Sequence, residues 1–187
     1  MKKMRPKPFL SLFTMLSATA AFAGGDISIG QPGTAPSVQA DLLNHLNNSL
    51  VINFIHHINN KEIREGQEAG DRLQSVQARQ FANHLVNAHQ ENEQKLLQLA
   101  AQKNITVGNF ELATYEFTTQ NQLRTLHGVS FDQGFLQIQK QGHQQVLQSL
   151  QLMLPSISDP NIVAFINKMI PTIQQHINQA ASIHVTG

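Results

Sequence analysis

Apolar residues recur at helical spacing along four stretches of this chain, and this periodicity limits the fold more than any other feature of the sequence. In the second stretch, Phe81, Leu85 and Leu96 fall on one face of a helix, and the other three repeat the pattern. Strict alternation of apolar and polar residues is rare, and no hairpin signal is present. The sequence LNNS (46–49) predicts a break between an N-terminal helical extension, 37–50, and the rest of the first helix. We therefore predict an all-α fold with helices over about 37–73, 77–103, 131–154 and 160–184.

The connections between these stretches predict how the helices are arranged. The turns near residue 75 and at PSISDP (155–160) are short, so the helices that they join are expected to be antiparallel neighbours. Asp159 is suited to the N-cap of the last helix, and Pro160 to its first helical position. The connection 104–130 is long enough to cross from one end of a bundle to the other. The pattern predicts a ferritin-like four-helix bundle with a long crossover between helices 2 and 3.

The first residues have the features of a secretory signal peptide. A basic start, MKKMRPKP, precedes an apolar run from Phe9 to Ala20 and the tripeptide AFA before Gly24. The apolar run is shorter than the ~20 residues that a transmembrane helix needs, so we expect no membrane insertion after the signal is cleaved. These features predict a periplasmic or secreted protein with a signal peptide at 1–23, a flexible leader at 24–36 and one bundle domain with its helical extension at 37–187.

Cleavage of this segment changes the charge of the chain. Taking the four basic residues of the signal peptide from the 13 basic residues of the chain leaves 9, against 12 acidic residues, for a formal charge of −3. A mildly acidic protein lacks the basic surface by which proteins bind nucleic acid, so we expect no nucleic-acid partner. The chain has no cysteine, so neither disulfides nor thiolate ligands are available to it.

Each predicted helix carries one titratable residue within its apolar face. These residues are Glu62, His89, His143 and His176. A buried polar group without a partner costs ~1–3 kcal/mol, so four of them in one core must pair with one another, with water or with a cation. Three imidazoles and one carboxylate suit a single Zn²⁺ or another divalent transition metal. The same residues would also satisfy one another in a metal-free Glu–His hydrogen-bond network, and the sequence leaves both interpretations open.

Other polar residues carry a weaker signal. We expect Glu93 to be exposed and the His56–His57 pair to lie on a solvated flank, and His84 has no evident partner. No nucleophile–base order, phosphate-binding loop or zinc-protease motif is present, so we expect binding rather than catalysis. A second hypothesis is a scaffold protein whose residues 37–50 dock on a protein partner or on a second copy of the chain.

Five short motifs, taken in order, resemble one protein family. They are KEIREGQEA (61–69), FANHLVNAHQEN (81–92), LHGVSFDQGF (126–135), KQGHQQ (140–145) and IPTIQQHINQA (170–180). The family, DUF4142, comprises exported bacterial proteins of unknown function and is regarded as ferritin-like. Its pattern has a Glu in the first helix, an Asp-His pair in the second and in the third, and Leu-Pro-x-Leu-x-x-His in the fourth. The resemblance implies that Glu62, His89, His143 and His176 occupy the polar positions of the family.

The chain departs from this pattern at two positions. Ala88 precedes His89 and Gly142 precedes His143, so both aspartates are missing, and any site that used them as ligands or ligand supports would be altered. A di-iron centre is not expected, because such centres use Glu-x-x-His on two helices. Val86 and Ile173 stand three residues before His89 and His176.

Overall fold

Four α-helices make up most of the described chain. The computed structural model describes residues 38–108 and 123–186, with side chains from residue 41 onward, and all of these residues belong to the unit Pro36–Gly187. No strand occurs within these ranges, so the prediction of an all-α fold is confirmed. The helices are α1 (Val38–Gly70), α2 (Val76–Gln102), α3 (Gly128–Met153) and α4 (Pro160–Ser182), and a 3₁₀ turn, Leu154–Ser156, follows α3.

Several predicted features lie outside the described residues. These are the signal peptide at 1–23, the leader at 24–36 and residues 109–122 of the predicted crossover. Of the helices that are described, none combines the length and hydropathy that a membrane crossing requires.

Side-chain caps define two of the helix starts. Ser75 accepts a hydrogen bond from the Ala78 amide at the start of α2. Asp159 accepts from the amides of Asn161 and Ile162 at the start of α4, which confirms its predicted role as N-cap.

The first helix is continuous, and the predicted break near LNNS is wrong. The Asn53 side chain donates to the Ser49 carbonyl within the helix, and the next turn is held by Val51 and Ile52, which are buried. Asn and Ser lower helix propensity by only a fraction of a kcal/mol each, so packing of the adjacent apolar residues decides the conformation. The N-terminal extension is therefore the first third of α1.

Contacts between helices define their directions. Asn59 of α1 bonds Glu93 of α2, and Asn53 of α1 bonds Thr106 just beyond the end of α2, so this pair is antiparallel. Gln133 near the start of α3 bonds Val185 just beyond the end of α4, so this pair is antiparallel as well.

The two helix pairs are joined across the length of the helices. The start of α3 lies against the α1–α2 turn, because the Asp132 carboxylate accepts hydrogen bonds from the amides of Gln74 and Ser75. The end of α2 lies at the opposite end, where Asn53 contacts Gly108. The chain between α2 and α3 therefore connects opposite ends of the helices, and α2 and α3 point in the same direction.

Two apolar clusters fill the interior, one toward each end of the helices. The first includes Val51, Ile55, Leu96, Leu150 and Ile166, and the second includes Leu73, Phe81, Leu85, Phe131 and Phe135. The buried polar residues of the described ranges, except Asp132 at the α1–α2 turn, occupy the level between these clusters. They are Asn59, Lys61, Glu62, His89, Glu93, Gln139, His143 and His176. Apolar packing closes the polar level at both ends, so water can reach it only from the sides.

Candidate metal site

One cavity of about 200 Å³ contacts all four helices at the polar level. Glu62, His89, His143 and His176 all line it, and each is buried. Most of the remaining wall is apolar, with Ile55, Ile58, Val146, Phe165, Met169 and Ile173 among its residues. The structure therefore brings to one cavity the four residues that the sequence singled out.

The three histidines form the tightest group within this cavity. One ring nitrogen from each of His89, His143 and His176 lies within 4.8 Å of the other two. Ring centroids are 5.0 Å apart for His143 and His176, 5.5 Å for His89 and His176, and 5.6 Å for His89 and His143. Glu62 lines the same cavity but is not a member of this 4.8 Å group.

Hydrogen bonds assign the protons on two of the rings. His143 Nδ1 lies 2.8 Å from the Gln139 carbonyl oxygen, which only accepts, so Nδ1 carries the proton and Nε2 keeps its lone pair. His176 Nδ1 lies 3.1 Å from His143 Nε2 and therefore donates to it. This leaves the lone pair of His176 on Nε2. Both rings are thus neutral tautomers with an Nε2 lone pair.

The third ring, His89, belongs to a hydrogen-bond chain that reaches α1. His89 Nδ1 lies 3.0 Å from Asn59 Oδ1, and Asn92 Nδ2 donates to the same oxygen at 3.0 Å. Asn59 Nδ2 donates to Glu93 Oε2 at 2.9 Å, and the other carboxylate oxygen of Glu93 accepts from His56 Nδ1. A line of polar contacts therefore connects His89 to the partly exposed His56.

Three buried polar atoms of this cavity have no hydrogen-bond partner among the described residues. They are Glu62 Oε2, His89 Nε2 and His176 Nε2. Leaving a buried polar atom unsatisfied costs ~1–3 kcal/mol, and well-packed proteins contain few such atoms. Three unsatisfied lone-pair atoms in one cavity are a specific feature, because each of them can coordinate a cation.

The charges of the site also favour a cation. Burial lowers the pKa of His89 to about 4 and, together with the neighbouring His143, that of His176 to about 3. Burial alone would raise the pKa of Glu62, but the charge of Lys61 and the charges that His143 and His89 carry once protonated outweigh it and lower the pKa to about 2. At neutral pH these two imidazoles are uncharged and the carboxylate is ionised. Those are the protonation states that coordinate metals.

A buried lysine holds one side of Glu62. Lys61 Nζ donates to Glu62 Oε1 at 3.3 Å and to Glu65 Oε2 at 2.7 Å, and only 3% of the lysine is exposed. Oε1 is thereby occupied, and Oε2 remains the one available oxygen. Glu62 is consequently arranged to offer a single oxygen to a ligand.

Three sequence-based expectations around the site are wrong. Glu93 is buried rather than exposed, because it accepts hydrogen bonds from His56 and Asn59. His56 is half-buried by the same contact, so it is not simply a solvated flank residue. His84 does have a partner: its ring meets that of His176 edge to face, with centroids 5.4 Å apart.

Sequence reasoning overlooked two side chains that support the site. Asn59 holds Nδ1 of His89, and Lys61 holds Glu62. Asn59 lies three residues before Glu62, so it falls on the same helical face as that candidate ligand. The support of His143 is the backbone carbonyl of Gln139, which any residue at that position would provide.

Comparison with known proteins gives one match. The family model described as "Domain of unknown function (DUF4142)" matches residues 33–183. Comparisons with curated proteins and with solved structures give no match. The matched range includes all four helices, and it contains every residue of the cavity described above. The chain therefore belongs to the DUF4142 family.

Proposed function

We propose that the protein binds one divalent transition metal ion, with Zn²⁺ as the reference case. His89, His143 and His176 would hold the ion through ring nitrogens, and Glu62 would supply an anionic fourth ligand through Oε2. The observation that carries the proposal is the set of buried, unsatisfied lone-pair atoms, Glu62 Oε2, His89 Nε2 and His176 Nε2, around one cavity. The rival metal-free network would have placed hydrogen bonds on those atoms.

The geometry fits an ion after small side-chain movements. Three atoms that all lie within 4.8 Å of one another are at most ~2.8 Å from a common centre, whereas zinc–nitrogen bonds are ~2.0–2.1 Å long. Each ring would therefore move inward by at most ~0.7 Å. His176 would also release its bond to His143 Nε2, which then becomes a ligand atom. Three nitrogens and one oxygen do not select among Zn²⁺, Cu²⁺, Ni²⁺ and Co²⁺.

Metal titration of chelator-treated protein tests this proposal. Co²⁺ is the suitable probe, because its visible spectrum reports coordination, and calorimetry with Zn²⁺ gives stoichiometry and affinity. We expect one equivalent of either ion. His176→Gln and His143→Gln should weaken binding by more than the ~10–100-fold that follows loss of a ligand-supporting residue.

Exposed histidines provide the matched controls. His45→Gln and His127→Gln change residues that are exposed, and they should leave stoichiometry and affinity unchanged. Circular dichroism establishes that each variant is folded. Wild-type protein that binds no Co²⁺ or Zn²⁺, or that binds it as well after either cavity substitution, would overturn the proposal.

We also propose that the fold is ferritin-like and that the protein is exported. The shared direction of α2 and α3 supports a crossover bundle, which is the ferritin-like connection. The basic, apolar and A-x-A segments of residues 1–23 support export to the periplasm or medium. N-terminal sequencing of protein purified from an exporting bacterial host should begin at Gly24. A product that keeps Met1 would contradict the export proposal.

A second candidate function is self-association through the start of α1. Leu42, Leu43, Leu46 and Leu50 are 57%, 54%, 54% and 46% exposed, although they form one side of a helix. We define residues 41–50 as the leucine arm. Exposed apolar residues grouped in this way commonly mark an interaction surface. Asp41 is the arm's only residue of the Asp, Glu, Lys and Arg types, so two copies could pair with little charge repulsion.

Light scattering across a concentration series tests this second function. We expect a dimer that becomes a monomer in Leu43→Ser/Leu46→Ser/Leu50→Ser. A protein that is monomeric at every concentration would contradict it. Metal binding, which uses other residues, would be unaffected by that result.

A further inference from the structure

We infer that Glu93, acting through Asn59, is the positioning residue that sets the tautomer of His89 and so turns its Nε2 lone pair toward His143 and His176. The inference extends the proposed metal-binding function, but the orientation of His89 can be tested without any metal. It rests on which atoms must carry the protons in the series of hydrogen bonds that joins His56, Glu93, Asn59 and His89.

The first step concerns the Asn59 amide, which can be placed in two orientations. A carboxylate only accepts hydrogen bonds, so the Asn59 atom that lies 2.9 Å from Glu93 Oε2 must be the NH₂ group. The oxygen of Asn59 then faces His89, where it also receives a hydrogen bond from Asn92 Nδ2. If the amide were reversed, its oxygen would face a carboxylate oxygen of Glu93. The hydrogen bonds with Glu93 and Asn92 would then both be lost.

The second step carries this orientation to the ring. Asn59 Oδ1 cannot donate, so His89 Nδ1, 3.0 Å away, must carry the ring proton. The lone pair of His89 is then on Nε2, the atom without a hydrogen-bond partner in the described part of the chain. Without Glu93, the amide could reverse, donate to Nδ1 and leave the proton on Nε2, where it would block coordination.

The third step concerns the charge behind each ring. Ala88 and Gly142 directly precede His89 and His143, so no carboxylate is next to either histidine in the sequence. Here Asn59 occupies the Nδ1 side of His89, and the Gln139 carbonyl occupies that of His143. The negative charge that supports His89 is therefore that of Glu93, which acts on the ring through Asn59. Such supports orient metal-binding histidines and raise their basicity.

A pair of substitutions distinguishes this role from simple packing. In Glu93→Gln the side chain can donate or accept, so only the hydrogen bond from Asn92 still favours one orientation of the Asn59 amide, and affinity for Zn²⁺ should fall by ~10-fold. In Asn59→Asp/Glu93→Gln the new carboxylate at position 59 accepts from His89 and from the new amide at position 93, which fixes the proton on Nδ1 again. We expect this double variant to recover wild-type affinity. Glu68→Gln and Asn83→Asp change exposed residues that lie outside the cavity and outside this hydrogen-bond chain, and they serve as matched controls.

Nitrogen-15 NMR of the histidine rings in chelator-treated protein reads the tautomer directly. His89 signals are assigned by their loss in His89→Gln. We expect an unprotonated Nε2 in wild type, a mixture of tautomers in Glu93→Gln, and the wild-type state in the double variant. Nε2 protonation of His89 in the wild type would overturn the inference.

The remaining outcomes separate this inference from the proposed function. If Glu93→Gln leaves the tautomer unchanged, or if the double variant fails to restore it, Glu93 is not the positioning residue, whatever the metal affinity. If the tautomers respond as expected but no protein binds Zn²⁺ or Co²⁺, the positioning role stands and the metal-binding proposal falls.

Discussion

Acid should destabilise the metal-free protein steeply, because two histidines are held neutral inside it. Burial, aided by neighbouring positive charge, lowers the pKa of His89 to about 4 and that of His176 to about 3. In the unfolded chain both residues should titrate near ~6.5. Between these values the unfolded chain binds more protons than the folded protein, so stability falls with pH. The contribution of both residues is complete above ~6.5 and is lost progressively below it.

The magnitude follows from the width of this window. Each pKa unit is worth ~1.36 kcal/mol, and the unfolded imidazole is already half protonated at ~6.5, so lowering the pH from ~6.5 to ~5 should cost about 1.6 kcal/mol for each histidine. The two together cost about 3 kcal/mol, a large part of the ~5–15 kcal/mol that stabilises a typical domain. Glu62 does not offset this loss, since its pKa of about 2 keeps it ionised throughout the window. Burial raises the pKa of Glu65, which acts in the opposite direction.

Urea unfolding at several pH values, with a chelator present and circular dichroism as the probe, measures the effect. A His89→Gln/His176→Gln variant isolates the histidine share from that of Glu65. We expect the free energy of unfolding of the wild type to fall by about 3 kcal/mol more than that of the variant between pH ~6.5 and ~5. Equal pH dependence in the two proteins would refute the reasoning that these rings are buried and neutral.

Three further predictions concern packing and charge around the site, and all three are measured as free energies of unfolding in urea. Gly66→Ala should destabilise the protein by ~1–3 kcal/mol, because an added Cβ would lie 2.7 Å from Val86 Cγ2. Gly70→Ala is the control, because the added Cβ enters open space there. Equal effects would contradict the close approach of α1 and α2. Asp132→Asn should cost ~1–3 kcal/mol, because it sets an NH₂ group against the amides of Gln74 and Ser75. Asp71→Asn changes an exposed residue and should be neutral. A neutral Asp132→Asn would contradict the contact between Asp132 and these amides. Lys61→Met should cost ~3–5 kcal/mol, because it leaves the carboxylates of Glu62 and Glu65 without their cation. Lys95→Met breaks an exposed ion pair and should cost below ~1 kcal/mol. A small effect at Lys61 would mean that its ion pairs are not required for stability.

Periodicity alone predicted the helices closely, because each is long and has one wide apolar face. The predicted bounds of the second helix, 77–103, differ by one residue at each end from Val76–Gln102. The same reasoning misplaced the N-terminal extension, since local propensity at Asn47, Asn48 and Ser49 was weighed above the burial of Val51 and Ile52 in the next turn. The apolar residues of the extension itself were detected, but their exposure depends on where α2 ends, which is a tertiary property.

The site was predictable only up to the identity of its titratable residues. Glu62, His89, His143 and His176 could be singled out because each is a polar residue on an apolar face. The side chains that hydrogen-bond these residues from other helices depend on the register between helices. The spacing of residues in the sequence does not reveal that register. Glu93 shows this limit: its spacing from His89 fits a buried face, but only the position of Asn59 on the neighbouring helix explains its burial.

The coordination of bound zinc tests the central claim most directly. X-ray absorption at the zinc edge should be recorded on the 1:1 complex prepared from chelator-treated protein. We predict three imidazole nitrogens and one carboxylate oxygen at ~2.0–2.1 Å, with one imidazole lost in each of His89→Gln, His143→Gln and His176→Gln. A spectrum with fewer than two imidazoles, or one that these substitutions leave unchanged, would contradict the account.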